Sequence, residues 1–331
     1  MRRTVAILDD YPGAALRVAD WSGVRSEADI TVFDRHLSEE EAARELAPFD
    51  VICTMRERTA FPRTLIERLP RLRLLTIVGT GLPNLDLRAA TEHGVLVSHS
   101  DFTAPRFRRP GMSDATPELA WALLMATVRN LAAEDRNIRA GGWQTPGAVG
   151  TTLSGGTLGL LGLGTIGRRM AAYAQVFGMD VLAWSEHLTA GAAAEAGARL
   201  VGKAELLARA DVVSVHLVLS ERTRGLLGAA DLASMKPTAY LINTSRGPIV
   251  DEQALVAALR EQRIAGAGLD VFDTEPLPPD HPLRTLPNVT LTPHIGYSTH
   301  DLLAAFYEDT AELVTAWLAG NPIRVLTHQQ A

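Results

Sequence analysis

Short apolar runs alternate with amphipathic stretches along almost the whole chain. In the first half the runs are Thr4–Leu8, Ile30–Phe33, Val51–Cys53, Leu74–Val78 and Val95–Val97. Each is short and mostly apolar, as expected of a strand in a parallel sheet covered on both faces. Between them lie helix-like segments such as Ser38–Leu46, where Ser38 followed by Glu41 reads as a capping box, and Pro62–Leu69. A longer helical pattern runs from Pro117 to about Ala140. It opens with Thr116 as a cap, has Pro in its first turn, and stops at Gly141-Gly142. A second alternating series follows, with strands expected at Leu158–Leu161, Val181–Trp184, Val212–Leu217, Ala239–Ile242, Ala267–Val271 and Val289–Leu291. The last segment, Thr299–Leu318, reads as a helix stopped by Gly320, Asn321 and Pro322. Such alternation predicts α/β architecture, with parallel sheets covered by helices on both faces.

Composition narrows the class. With 331 residues the chain has room for about two domains. It is 47% hydrophobic and 21% charged, ordinary for a globular protein. The net charge is −6 and no basic block stands out, which argues against nucleic acid or an anionic membrane as partner. The single cysteine, Cys53, excludes an intrachain disulfide and a Cys-rich zinc site, and it reads as plain core. No apolar run reaches membrane-spanning length, and Thr4–Leu8 is too short for a secretory signal, so a cytosolic protein is expected. Only two basic residues are lysines, which disfavours Schiff-base chemistry. The loop Phe102–Ser113 carries Arg106, Arg108 and Arg109. It reads as a solvated surface loop, with a cofactor mouth or a subunit contact as alternatives.

The strand Leu158–Leu161 runs into Gly162-Leu163-Gly164-Thr165-Ile166-Gly167 and then a helical pattern from Arg168 to Phe177. This G-x-G-x-x-G sits in the strand–turn–helix context of a dinucleotide site. Gly162 allows the tight turn, Gly164 lets backbone approach a pyrophosphate, and Gly167 lets helix and strand pack closely. The second strand ends Ser185-Glu186-His187. Glu186 is the candidate for the ribose hydroxyls, although Ser185 fills the slot where an acid is expected. Small Ser185 leaves room for a 2′-phosphate, yet no Arg follows closely, so the sequence favours NAD over NADP.

Three polar motifs then close three successive strands: Asn243-Thr244-Ser245-Arg246-Gly247, Asp270–Pro276, and Thr292-Pro293-His294-Ile295-Gly296. Ligands bind at the carboxyl ends of such strands, so an Arg, a Glu and a His can converge there. An Arg fork binds a carboxylate at two points. A His can protonate a carbonyl oxygen as hydride arrives at carbon, and a carboxylate beside it favours the charged imidazolium.

On these motifs, with Met235-Lys236-Pro237 and Gly268–Pro276, the sequence resembles the D-isomer-specific 2-hydroxyacid dehydrogenase family over nearly its whole length. The resemblance implies two doubly wound domains. One is a Rossmann-type NAD(P)-binding domain at 101–296; the other is a discontinuous, flavodoxin-like substrate domain at 1–100 plus 297–331. It implies Arg246 as the substrate-carboxylate ligand, Glu275 paired with catalytic His294, and Asp270 against the nicotinamide carboxamide. It also implies homodimers formed through the nucleotide domain and a small 2-keto or 2-hydroxy acid as substrate. Thr165, Ile166, His216, Thr223, Thr244 and Gly296 complete the expected cofactor contacts. On the substrate side, Val78-Gly79-Thr80-Gly81 resembles the carboxylate-gripping loop, contributing Thr80 and Gly81. Thr54–Thr59 resembles the motif that places an Arg, here Arg56, over the cleft; the alternative for Arg56 is a surface ion pair with a neighbouring acid. No regulatory segment follows Ala331, which speaks against an amino-acid-regulated phosphoglycerate dehydrogenase. Glu275 speaks against a formate enzyme. An NADH-binding corepressor with little turnover would keep the same motifs and is the alternative function.

Overall fold

A computed structural model describes residues 2–79 and 84–326. The chain divides into two compact units, Met1–Met112 with Ser298–Ala331, and Ser113–Tyr297. Residues 101–112 group with the first unit and Tyr297 with the second, where the sequence reading places its boundaries at 100/101 and 296/297.

The first unit is a five-stranded parallel sheet: β1 (Arg3–Ile7), β2 (Ala28–Val32), β3 (Val51–Cys53), β4 (Leu74–Ile77) and β5 (Leu96–His99). Their order is β2-β1-β3-β4-β5, the flavodoxin-like winding. β3 and β4 are buried at every position, which is why they read as apolar runs without alternation. One face packs on Leu46, Phe61, Leu65 and Leu72. The helix Glu39–Glu45 carries the expected box: Glu41 N–H donates to Ser38 Oγ (3.3 Å) and Ser38 N–H to Glu41 Oε2 (2.9 Å).

The final helix, His300–Leu318, packs against β4 and corrects the reading of the Phe102–Ser113 loop. That loop is anchored rather than merely solvated. Phe102 and Phe107 contact Phe306 with ring centroids 6.0 and 5.9 Å apart. Arg106 pairs with Glu312 and lies 3.7 Å from buried Asp309. Arg109 lies 3.7 Å from Glu308.

The second unit is a seven-stranded parallel sheet: β6 (Thr157–Leu161), β7 (Asp180–Trp184), β8 (Arg199–Leu200), β9 (Val212–Val215), β10 (Tyr240–Asn243), β11 (Gly266–Leu269) and β12 (Val289–Leu291). The order β12-β11-β10-β9-β6-β7-β8 is the Rossmann winding with one added strand. The order in which strands are added across the sheet reverses at β6, which pairs with β7 on one side and β9 on the other. Apolar clusters cover both faces, one around Leu206, Leu241 and Leu259, the other around Leu124, Leu158 and Met170.

The long helix expected from Pro117 to Ala140 is two helices, Ala115–Val128 and Leu131–Arg139. They break at Asn130, whose φ of 54° is left-handed, a conformation Asn tolerates better than most residues. The cap is Asp114, not Thr116; Thr116 lies inside the helix and its hydroxyl is spent elsewhere. No helix among the described residues is long and apolar enough to cross a membrane.

Candidate active site

At the switch point, Gly162 leaves β6 with φ +100°. A Cβ there would stand 2.5 Å from the His216 carbonyl oxygen, and a Cβ on Gly167 would run into the Gly162 carbonyl oxygen. Only glycine lets this turn close. Gly164 faces open space and caps the helix Thr165–Val176, which has no side-chain cap and no acid in its first turn. The N–H groups of that turn and the positive helix end therefore face outward, ready for a phosphate. Two further polar atoms fit a bound dinucleotide. Thr244 Oγ1 and His216 Nδ1 are buried and have no hydrogen-bond partner among the described residues. His216 Nε2 lies 2.8 Å from Ser214 Oγ, and burial pushes the imidazole down to about 3, so it is neutral.

Beyond β7, Ser185 and Glu186 follow as expected, but the neighbourhood differs from the sequence reading. Arg222, 36 residues along the chain from Glu186, places Nη1 2.6 Å from Glu186 Oε2 and 3.3 Å from His187 Nε2. The Arg expected to be missing beside this strand end is supplied by the loop after β9. Thr223 fixes that loop by accepting from Ser220 N–H (2.8 Å) and donating to the Val218 carbonyl (2.7 Å).

The motif after β10 is stapled by its own first residue. Asn243 Oδ1 accepts from Ser245 N–H (3.0 Å), and Asn243 Nδ2 donates to the Arg246 carbonyl (3.0 Å). Arg246 is half-buried and donates from Nη1 to the Ser245 carbonyl (2.8 Å). Gly247 packs so tightly that a Cβ would strike the Phe272 carbonyl group, which brings this loop against the one carrying Glu275.

Glu275 uses both oxygens. Oε1 accepts from Phe272 N–H (2.9 Å), and Oε2 lies 2.5 Å from His294 Nδ1. His294 sits at φ +53°, in the left-handed region that costs a non-glycine residue energy. Asp270 holds it there. Its Oδ1 accepts from Thr292 Oγ1 (2.7 Å) and Ile295 N–H (2.9 Å), and its Oδ2 from Gly296 N–H (2.9 Å). Asp270 is buried, which pushes its carboxyl above the usual range, while these three donors oppose the rise. Thr116 Oγ1 donates to the Gly296 carbonyl (3.0 Å) and closes the loop from the other side. Sequence reasoning missed Thr116, Thr292, Asn243 and Arg222. Asn243 and Thr292 carried a local signal, each as the first residue of its strand-end motif.

In the first unit, Arg56 follows β3 at φ +55°, and its Nε lies 3.9 Å from Glu57 Oε2, so it has the neighbouring acid of the alternative reading. Thr80 and Gly81 lie outside the described residues. Cys53 is buried and its thiol is pushed up to about 12, an inert core position. No group of three or more metal-binding side chains occurs among the described residues.

Residues 121–296, which span every motif of the second unit just described, match the family model for the NAD binding domain of D-isomer specific 2-hydroxyacid dehydrogenases. The chain belongs to the D-isomer-specific 2-hydroxyacid dehydrogenase family. It is 39% identical over 265 residues to a glyoxylate reductase of Aeropyrum pernix, covering 78% of this chain and 76% of that one. The phosphoglycerate oxidoreductase structure from Vibrio cholerae superposes with a TM-score of 0.87 at 34% identity, over 97% of this chain and all of that chain. An acyclic imino acid reductase in complex with NADPH and D-Arg matches at TM-score 0.69 and 28% identity, over 98% of this chain and 100% of that chain. The dehydrogenase is an NAD(P)-dependent enzyme that transfers hydride between the nicotinamide cofactor and a 2-hydroxy or 2-keto acid.

Proposed function

We propose that this enzyme reduces glyoxylate and similarly small 2-keto acids, with His294 as the proton donor. The observation that carries the reading is the contact between His294 Nδ1 and Glu275 Oε2 at 2.5 Å, on a loop braced by Asp270. Glu275 Oε2 meets Nδ1 and orients the ring, and in this reading Nε2 gives the proton to the carbonyl oxygen. The negative charge of Glu275 stabilises the imidazolium that must be present before transfer. Arg246 binds the substrate carboxylate, which orients the carbonyl. Arg56, Thr80 and Gly81 are the first unit's candidates for binding the substrate.

The pyrophosphate belongs on Gly162, Gly164, Thr165, Ile166 and Gly167. The adenosine side belongs to Ser185, Glu186, His216 and Thr223, and the nicotinamide side to Thr244, Asp270 and Gly296. Asp270 Oδ2 takes only one internal bond and keeps lone-pair capacity, so a carboxamide N–H still finds an acceptor. When bound, the nicotinamide supplies the hydride.

The similarity to a glyoxylate reductase supports the small-acid assignment. The same reading takes the enzyme as a cytosolic homodimer. The exposed apolar side chains Leu131, Ile138, Trp143 and Val149 support the dimer, which light scattering tests. The substrate test is NADH oxidation with glyoxylate, hydroxypyruvate, phenylpyruvate and phosphohydroxypyruvate. Turnover highest with the first two is expected. No turnover with any of the four would remove the assignment.

A further inference from the structure

We propose that Arg222 reads the 2′-phosphate of NADP(H), so that the pocket accepts NADPH as well as NADH. This rests on the nucleotide reading above.

A lone Glu186 at the end of β7 would exclude NADPH, since a carboxylate repels a 2′-phosphate. It is not alone. Its Oε2 is 2.6 Å from Arg222 Nη1, which is also 3.3 Å from His187 Nε2. The pair cancels the negative charge where the phosphate would sit. Topology explains how so distant a residue arrives. β9 and β7 flank β6, so their ends are two strand spacings apart, roughly 10 Å. A long Arg side chain meeting a Glu side chain spans that distance across the glycine turn. The Thr223 bonds to Ser220 and Val218 hold the turn from which Arg222 projects.

The Glu186–Arg222 pair is built to exchange partners. Their side chains are 58% and 66% exposed, and an ion pair in water is weak. A phosphate accepts two parallel N–H bonds from one guanidinium and outcompetes it. Small Ser185 leaves the space. With NADH, Glu186 takes the ribose hydroxyls while it keeps Arg222. With NADPH, Arg222 turns to the phosphate and exposed Glu186 turns to solvent.

Calorimetric titration of wild type, Arg222→Ala and Arg222→Lys with ADP and with 2′,5′-ADP tests this without turnover. Wild type should bind the two nucleotides within about tenfold of each other. Arg222→Ala should weaken 2′,5′-ADP by about 10- to 100-fold and ADP by much less, with Arg222→Lys recovering part of the loss. Glu186→Gln should tighten 2′,5′-ADP, because the competing acceptor loses its charge. Wild type that rejects 2′,5′-ADP by more than about a hundredfold overturns the proposal. So does an Arg222→Ala variant that loses both nucleotides equally. Binding of neither nucleotide by wild type would instead overturn the dinucleotide reading itself, and the proposal with it.

Discussion

His294 meets Glu275 across 2.5 Å, while the second oxygen of Glu275 accepts the Phe272 N–H at 2.9 Å. The carboxylate is thus fixed by the backbone of its own turn before it touches the imidazole. This division of labour separates orientation from proton transfer and makes the two residues act as a unit.

Residues that act as a unit are not additive when removed. Glu275→Gln should lower kcat by about 10- to 100-fold with little change in NADH affinity, since Gln keeps an oxygen for Phe272 N–H but loses the charge. The double variant Glu275→Gln, His294→Asn should be no slower than His294→Asn alone. A fully multiplicative double variant, read by kcat, would show that Glu275 does not act through His294.

Asp270 should matter for stability as well as rate. Its two oxygens take three donors and hold His294 in a left-handed conformation. Asp270→Asn sets an NH2 donor against a backbone N–H donor, leaving a buried group unsatisfied. A loss of about 1–3 kcal/mol in urea unfolding is expected, together with a lower kcat. Unchanged stability would mean that the loop holds its shape without the carboxylate.

Arg246 should report on the substrate carboxylate. Arg246→Ala should raise KM for glyoxylate and lower kcat/KM by about 10²-fold or more, and Arg246→Lys should recover only part, because an ammonium lacks the planar fork. Kinetics of Arg246→Ala equal to wild type would remove Arg246 from the site.

His216 gives a pH dependence whose sign follows from burial. Its imidazole is pushed from 6.5 down to about 3 in the folded protein. Below pH 6.5 the unfolded chain takes up a proton that the folded chain refuses, so stability falls as pH drops from about 6.5 toward 3. The slope approaches about 1.4 kcal/mol per pH unit for this one group. His216→Gln should flatten that part of the Tm profile. An equally steep profile in the variant would assign the acid sensitivity to other groups.

Much of this was legible in the sequence because parallel strands buried on both faces advertise themselves. β3 and β12 fall on the expected residues, and most other strands within one or two positions. The glycine turn and the three strand-end motifs were legible because each needs particular residue types at fixed offsets. What escaped depends on three dimensions. β8 is two residues at a sheet edge, too short to form an apolar run. The break at Asn130 lies inside a pattern that is helical on both sides. Thr116 looks like a cap until Gly296 comes beside it. Arg222 stands 36 residues from Glu186, and only the strand order β9-β6-β7 brings them together.

In the proposed reaction His294 delivers the proton in keto-acid reduction. The most direct test compares kcat for glyoxylate reduction with NADH affinity, measured by fluorescence titration, in wild type and His294→Asn. His294→Asn should lower kcat by about two to four orders of magnitude and leave NADH affinity within about threefold of wild type. A His294→Asn enzyme that keeps its turnover, or that loses NADH binding in proportion to its rate, would contradict it.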